Sequence, residues 1–290
     1  MSATSRAPST LRRDVIAAAL GLSVTIVPAC AETSLKPAIS ALIEKFTATL
    51  TLSLSQRPLT EARVPAIGCP QDGQLGPKKA PKLPKTVRII VPEGMGPSLA
   101  FYSADESIDA GVLAPRNWHC FGIYGSSGSG LYVIPRGLRG PILNRPEKVK
   151  NGPAVIKRFF NGEASGRFGV ARISARIFPQ AHRYVESVRA LGIVDPKDYV
   201  FVPWPADRLD RLSDSVVSYA TPLGAQGLGT ELGLAPGREP ILGLVFLTGD
   251  LEGKGDGPYL EGLAVRLDRA TQHLYPAIGV AKIASTEAAR

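Results

Sequence analysis

The sequence predicts an α+β protein in which antiparallel β regions flank a helical middle segment, tied by one disulfide. Three observations carry this. Apolar residues alternate with period two from Thr86 to Pro135 and again after Asp198, whereas two stretches between them repeat apolar residues at helical spacing. Thirty glycines and twenty-five prolines in 290 residues punctuate these segments with turns. Of three cysteines, only Cys69 and Cys120 lie beyond an N-terminal export signal.

Residues 1–31 read as that signal. Arg6, Arg12 and Arg13 precede an apolar run from Val15 to Val27, and Ala29-Cys30-Ala31 supplies small residues for cleavage after Ala31. The mature protein is therefore expected to be exported and periplasmic, with no transmembrane helix. Arg12-Arg13 leaves the twin-arginine route open beside the general one, and Val27-Pro28-Ala29-Cys30 leaves open a lipoprotein anchored through Cys30. An oxidising compartment closes an even pair of thiols, so a Cys69–Cys120 bridge is expected, worth about 4 kcal/mol for a loop of this length. Loss of three arginines and Asp14 with the signal lowers the formal charge from +9 to +7. Such a surface favours anionic envelope polymers over nucleic acid, although solubility explains it equally well.

The elements follow in order. Residues 34 to 47 place Ile39, Leu42, Ile43 and Phe46 on one helical face behind Pro37. The remainder of 32–85 has no sustained period and ends in the Pro/Lys-rich "CPQDGQLGPKKAPKLPK", read as leader and exposed linker before a globular domain over 86–290. In that domain "TVRIIVP", "LAFYSA", "HCFGIYG" and "LYVIP" form a β unit over 86–135, the last two joined by "GSSGSG" as a hairpin. The basic stretch 136–158 is expected to wrap the surface, and the helical segment 150–192 to hold two helices. One carries Val170, Ile173 and Ile177; the other starts at Pro179, carries Tyr184, Val188 and Leu191, and stops at Gly192. The second β unit, 198–275, comprises "DYVFVPWP", "DSVVSYATP", "ILGLVFLTG" and "EGLAVRL". Ile241 to Leu247 has no polar face and is expected to be a central strand covered on both sides. The tail beyond Ile283 reads as frayed.

Chemistry concentrates in "NWHCFGIYGSSGSGLYVIP". "GSSGSGLYV" resembles the "GDSGGPLV" stretch of chymotrypsin-like serine proteases, with Ser127 at the nucleophile position, but His119 lies only eight residues earlier and the order of that family's triad is broken. Two readings stand. In one, His119 and Ser127 face each other across the hairpin, Asp72 is drawn near by the disulfide, and the three form a hydrolytic triad. In the other, glycine and serine turn a hairpin, His119 packs beside Trp118, and Cys120 is consumed by the bridge. A second candidate is an anion-binding surface made of Arg136, Arg139, Arg145, Lys148, Lys150, Lys157 and Arg158, opposed only by Glu147. Histidines 119, 182 and 273 have no metal-ligand spacing, and "GLGTELG" lacks the context of a dinucleotide fingerprint; it reads as a turn, the alternative being a loop that cradles an anion. Neither metal nor cofactor is expected.

"CPQDGQLGP", "GVLAPRNWHCFGIYGSSGSGLYVIP" and "TPLGAQGLGTELGLAPGREPILGLVFLTG" resemble segments of uncharacterised exported, periplasmic proteins of Gram-negative bacteria, in which glycine often stands at the position of Asn117. The resemblance implies export and a shared fold and transfers no activity. The leading expectation is a non-enzymatic envelope protein with a binding or structural role. A serine-type hydrolase and a binder of anionic envelope glycans are the alternatives.

Overall fold

Turn residues cut the chain into short elements, and the computed structural model describes them over residues 37–49, 57–107, 110–252 and 257–288. The segment expected to be an export signal, with Cys30, lies outside the described residues. In chain order come α1 (Pro37–Thr49), β1 (Leu59–Gly68), β2 (Gln71–Gly73), β3 (Thr86–Pro92), β4 (Leu99–Ser103), β5 (Val112–Pro115), β6 (His119–Gly125) and β7 (Gly128–Ile134). Then follow α2 (Arg145–Val149), β8 (Ala154–Asn161), α3 (Arg167–Ile177), α4 (His182–Arg189), β9 (Arg208–Ser213) and β10 (Val216–Thr221). The last elements are α5 (Leu228–Glu231), β11 (Ile241–Thr248), β12 (Tyr259–Arg266) and α6 (Tyr275–Ala288).

The strands form a four-stranded sheet, β3-β1-β4-β5, and an eight-stranded sheet, β2-β6-β7-β8-β12-β11-β10-β9. Both are largely antiparallel, each with one parallel pair, β1 with β4 and β2 with β6. The two β regions expected from the sequence are not separate. β8 lies between β7 and β12 and stitches them into one sheet, which corrects the reading of 136–158 as a surface wrap and of 150–192 as wholly helical. Its sequence "AVIKRFFN" carries Lys157 and Arg158 in mid-strand, which breaks the alternation that would have revealed it.

Each face of the large sheet has its own core. On one side Leu131, Val133, Val155, Leu244, Phe246 and Leu263 pack against α1, α6 and the small sheet. On the other, Tyr132, Ile156, Val245 and Ala264 pack against α3 and α4. The three layers explain why β11 has no polar face, as expected: Leu244 and Phe246 enter one core, Val245 and Leu247 the other. Arg266, 2% exposed, closes one end by donating to the carbonyls of Gly152 (3.0 Å), Ala235 (2.7 Å) and Lys150.

The segment expected to be a leader belongs to the fold. Ile39, Leu42, Ile43 and Phe46 of α1 are buried, and β1 is an inner strand, so among the described residues the fold takes in those from Pro37 and does not begin at Thr86. Residues 199–206, "YVFVPWPA", form no strand; prolines at 203 and 205 interrupt the ladder donors, and the charged "RLDRLS" supplies edge strand β9 instead. The tail is helical to Ala288, with Ala277, Ile278, Val280 and Ile283 buried. Asn117, in the turn before β6, has φ 67°, the left-handed region. Glycine enters it freely and asparagine tolerates it better than other side chains.

Candidate functional site

The chain passes from the small sheet to the large one at Cys69-Pro70. Cys69 N–H donates to the Ser103 carbonyl at 2.8 Å, and the Pro70 carbonyl accepts from Gly122 N–H at 2.8 Å. The Cys69–Cys120 disulfide, Cα–Cα 5.3 Å, clamps the crossing as expected. Beyond it β2 pairs in parallel with β6, setting Gln71 opposite Gly122, Asp72 opposite Ile123 and Gly73 opposite Tyr124. Gly122 is required: a Cβ there would stand 2.9 Å from Ala104 Cβ and 3.0 Å from Gln71 Cβ. Thus "CPQDG" and "HCFGIYG", separate in sequence, become neighbouring strands.

Above them opens a cleft of about 480 Å³, lined among others by Gln71, Lys78, Tyr124, Ser129, Lys157, Phe159 and Glu261 and, from the segment between β4 and β5, by Ala104, Asp105, Ser107 and Ala110. This lies in the range of small-ligand sites, roughly 300–1,000 Å³. Strand register dictates its floor. Tyr124, Ser129, Phe159 and Glu261 stand directly opposite one another in β6, β7, β8 and β12, hence on one face. One row deeper lie Gln71, Gly122, Leu131 and Lys157. Gln71 Nε2 donates to the Ala104 carbonyl at 2.9 Å, holding that segment, and the Tyr124 hydroxyl donates to the Gly76 carbonyl at 2.6 Å. At the back, Glu261 is ion-paired to Lys157 (3.4 Å) and to Lys282 of α6. Charges this buried require such partners, and these tie the C-terminal helix to the cleft.

The residues proposed as a triad do not meet. His119 pairs with Ile134, while Ser126 and Ser127 form the turn beyond the Gly125–Gly128 pair. Six residues of strand separate the histidine from the turn, about 20 Å at the usual rise. His119 is exposed against Gly137, where a Cβ would lie 3.3 Å from its Nδ1. Asp72 lies beside Ile123, its Oδ1 accepting from Gly73 N–H at 2.9 Å. The facing-hairpin reading of His119, Ser127 and Asp72 is therefore corrected, because a two-residue turn fixes the register that separates them.

The basic run does not form one surface either. Arg136, Arg139 and Lys148 are exposed. Arg145 Nε and Nη2 donate to the Gly140 carbonyl (3.2 and 3.0 Å), and Lys150 is ion-paired to Glu147 at 2.6 Å. Lys157 and Arg158, consecutive in β8, point to opposite faces: Lys157 to the cleft, Arg158 to the other core, where Nη1 donates to Tyr132 Oη at 2.8 Å.

The "GLGTELG" segment, expected as a turn, holds the short helix α5, and its start receives a carboxyl group from within the chain. Asp207 accepts from Leu228 N–H and the Thr221 hydroxyl, both at 2.7 Å, while Gly229 N–H donates to Thr221 Oγ1 at 3.1 Å. Burial raises the Asp207 pKa above its ordinary value, against these two hydrogen bonds to its carboxylate, which lower it. A broader hollow of about 970 Å³, lined by Glu163, Arg167, His182 and Tyr184 among others, gathers none of the sequence-predicted site residues. Among the described residues no three His, Cys, Asp or Glu side chains form a metal site, and no helix is long and apolar enough to cross a membrane.

Comparison with protein-family models, with curated proteins and with solved structures gave no match. Tyr124, Ser129, Phe159 and Glu261 were missed as site residues because their association is a matter of register across four strands. The signal available was the serine between two glycines that heads "GSGLYVI", two and four positions before Leu131 and Val133 in the strand alternation and two positions beyond the residue that resembled a nucleophile.

Proposed function

We propose that this chain is an exported, periplasmic protein of the cell envelope that binds a ligand non-covalently in the cleft above Ser129. The observation that carries the reading is the convergence of "CPQDG" and "HCFGIYGSSGSG" on that cleft. The disulfide accords with an oxidising compartment. Binding without covalent chemistry is favoured because strand pairing holds His119 about 20 Å of strand away from the turn that carries Ser127.

Native mass spectrometry of the mature chain, incubated with the small-molecule fraction of a periplasmic extract, tests this. A discrete non-covalent adduct is expected in the wild type and is lost in Ser129→Trp, whose indole obstructs the floor of the cleft. No adduct, or an equal adduct in both, overturns the reading. A serine-directed fluorophosphonate is expected to leave the protein unlabelled.

A second reading, capture of anionic envelope polymers, is favoured by the exposed Arg136, Arg139 and Lys148, beside which the acid Glu147 is already paired to Lys150. Charge neutralisation of those three residues is expected to weaken salt-sensitive binding to lipopolysaccharide. Unchanged binding removes this role.

A further inference from the structure

Arg266 is the last residue of β12 and pairs with Ala154, the first of β8. It is 2% exposed, and an arginine this buried is ordinarily matched by a carboxylate. Its three printed-length and close contacts are instead neutral: it donates from Nε to the Gly152 carbonyl (3.0 Å), from Nη1 to that of Ala235 (2.7 Å) and from Nη2 to that of Lys150. Desolvation lowers its pKa, and among the described residues no carboxylate stands near enough to raise it again. A guanidinium has five N–H donors, one on Nε and two on each Nη. Three are taken, which leaves one on each Nη nitrogen.

The same side chain lines a cavity of about 510 Å³, within the range of small-ligand sites. Glycines keep it open. A Cβ at Gly237 would overlap Arg266 Nη1, whereas a Cβ at Gly152 or Gly224, both in the cavity wall, would meet nothing within 4 Å. No side chain at these three positions covers the guanidinium. Asn151 and Arg238, also in the wall, are exposed and add donors. The wall holds two acids as well, but neither serves Arg266. Asp268 Oδ1 accepts from Thr271 N–H (3.0 Å) and from the Thr271 hydroxyl (2.7 Å), and Glu239 is exposed to water. Their charge disfavours a multiply charged ion in the same cavity, which leaves a monoanion as the matching partner.

We propose that this cavity binds a small, singly charged carboxylate, held by the remaining Nη1 and Nη2 donors of Arg266 and by Arg238 and Asn151 of the wall. A planar carboxylate is the group that the guanidinium fork matches with two oxygens at once. The site lies at the far end of β12 from Glu261 and is independent of the cleft above Ser129.

The test is an NMR titration of the protein with sodium acetate, following the side-chain Nε–H signal of Arg266. Expected is a saturable shift of that signal, repeated with propionate and absent with dianionic phosphate or with chloride at matched ionic strength. Arg266→Lys gives up carbonyl bonds that hold the end of the sheet and can unfold, so Arg238→Ala, at an exposed position, carries the comparison. Its affinity for acetate is expected to fall about fivefold while its unfolding midpoint stays that of the wild type. An unmoved Arg266 signal overturns the proposal. So does an equal response to phosphate, or an acetate affinity that Arg238→Ala leaves unchanged.

Discussion

Cys69 and Cys120 are bonded at the point where β1 of the small sheet hands the chain to β2 of the large one, so one covalent link ties the two sheets beside the cleft. β2 has only three residues and is an edge strand, which gives it little hold of its own. The Cys69→Ala/Cys120→Ala variant is expected to lose about 4 kcal/mol of unfolding free energy, within the 2–5 kcal/mol usual for native disulfides. Urea unfolding reads this, and reductant should bring the wild type to the same midpoint while leaving the variant unmoved. Ligand affinity should fall with it, since β2 carries Gln71 and its hold on Ala104.

Asn117 governs the turn that delivers the chain to β6. At φ 67° any β-carbon is strained, by about 1–2 kcal/mol for an ordinary residue, and asparagine is among the least affected. Nearby, the Tyr102 hydroxyl donates to the Pro115 carbonyl at 2.9 Å and accepts from Trp118 N–H at 3.1 Å, locking the turn into the core. Asn117→Gly is expected to leave stability within about 0.5 kcal/mol, whereas Asn117→Val costs more than about 1 kcal/mol. Thermal unfolding of the two variants separates them; equal midpoints would contradict the strained turn.

What the sequence discloses here depends on how local the governing interaction is. The helix carrying Ile39 to Phe46, the 128–134 hairpin arm, the double-sided strand at 241–247 and the thiol pairing are all written in patterns a few residues long, or in the arithmetic of two cysteines. β8 was hidden because Lys157 and Arg158 interrupt its apolar run, and their burial is intelligible only once Glu261 and Tyr132 are placed against them. The same holds for the candidate site. His119 and Ser127 are close in sequence but are driven apart by strand pairing, whereas Tyr124, Ser129, Phe159 and Glu261 span more than a hundred residues and share one row. Register is a tertiary property, and no window of sequence contains it.

Gly243 marks a second place where register leaves no room. A Cβ there would overlap the Leu263 carbonyl oxygen and stand 2.5 Å from the Tyr219 ring and hydroxyl. That hydroxyl donates to the same carbonyl at 3.0 Å across the interior of the sheet. Because β11 is held on both edges, neither neighbour can yield cheaply, and Gly243→Ala is expected to cost about 3 kcal/mol or more. Gly152→Ala, whose Cβ would meet nothing within 4 Å, serves as the control, with an expected change inside about 0.5 kcal/mol. Denaturant midpoints of the two variants decide it.

Asp207 sets a pH dependence whose sign follows from its surroundings. Burial outweighs the hydrogen bonds from Thr221 and Leu228, so the folded state binds the carboxyl proton more tightly than the unfolded chain, whose value is 3.8. For a carboxyl raised in this way, the contribution to stability is fully present below the unfolded value and is lost as the pH rises through the folded one. Titrating the Asp207 carboxyl by NMR is expected to give a midpoint above 3.8. The matching fall in unfolding free energy with rising pH should be absent from Asp207→Asn, which has no proton to release. A midpoint below 3.8 would mean that the Leu228 N–H and Thr221 hydroxyl, and not burial, dominate this carboxylate.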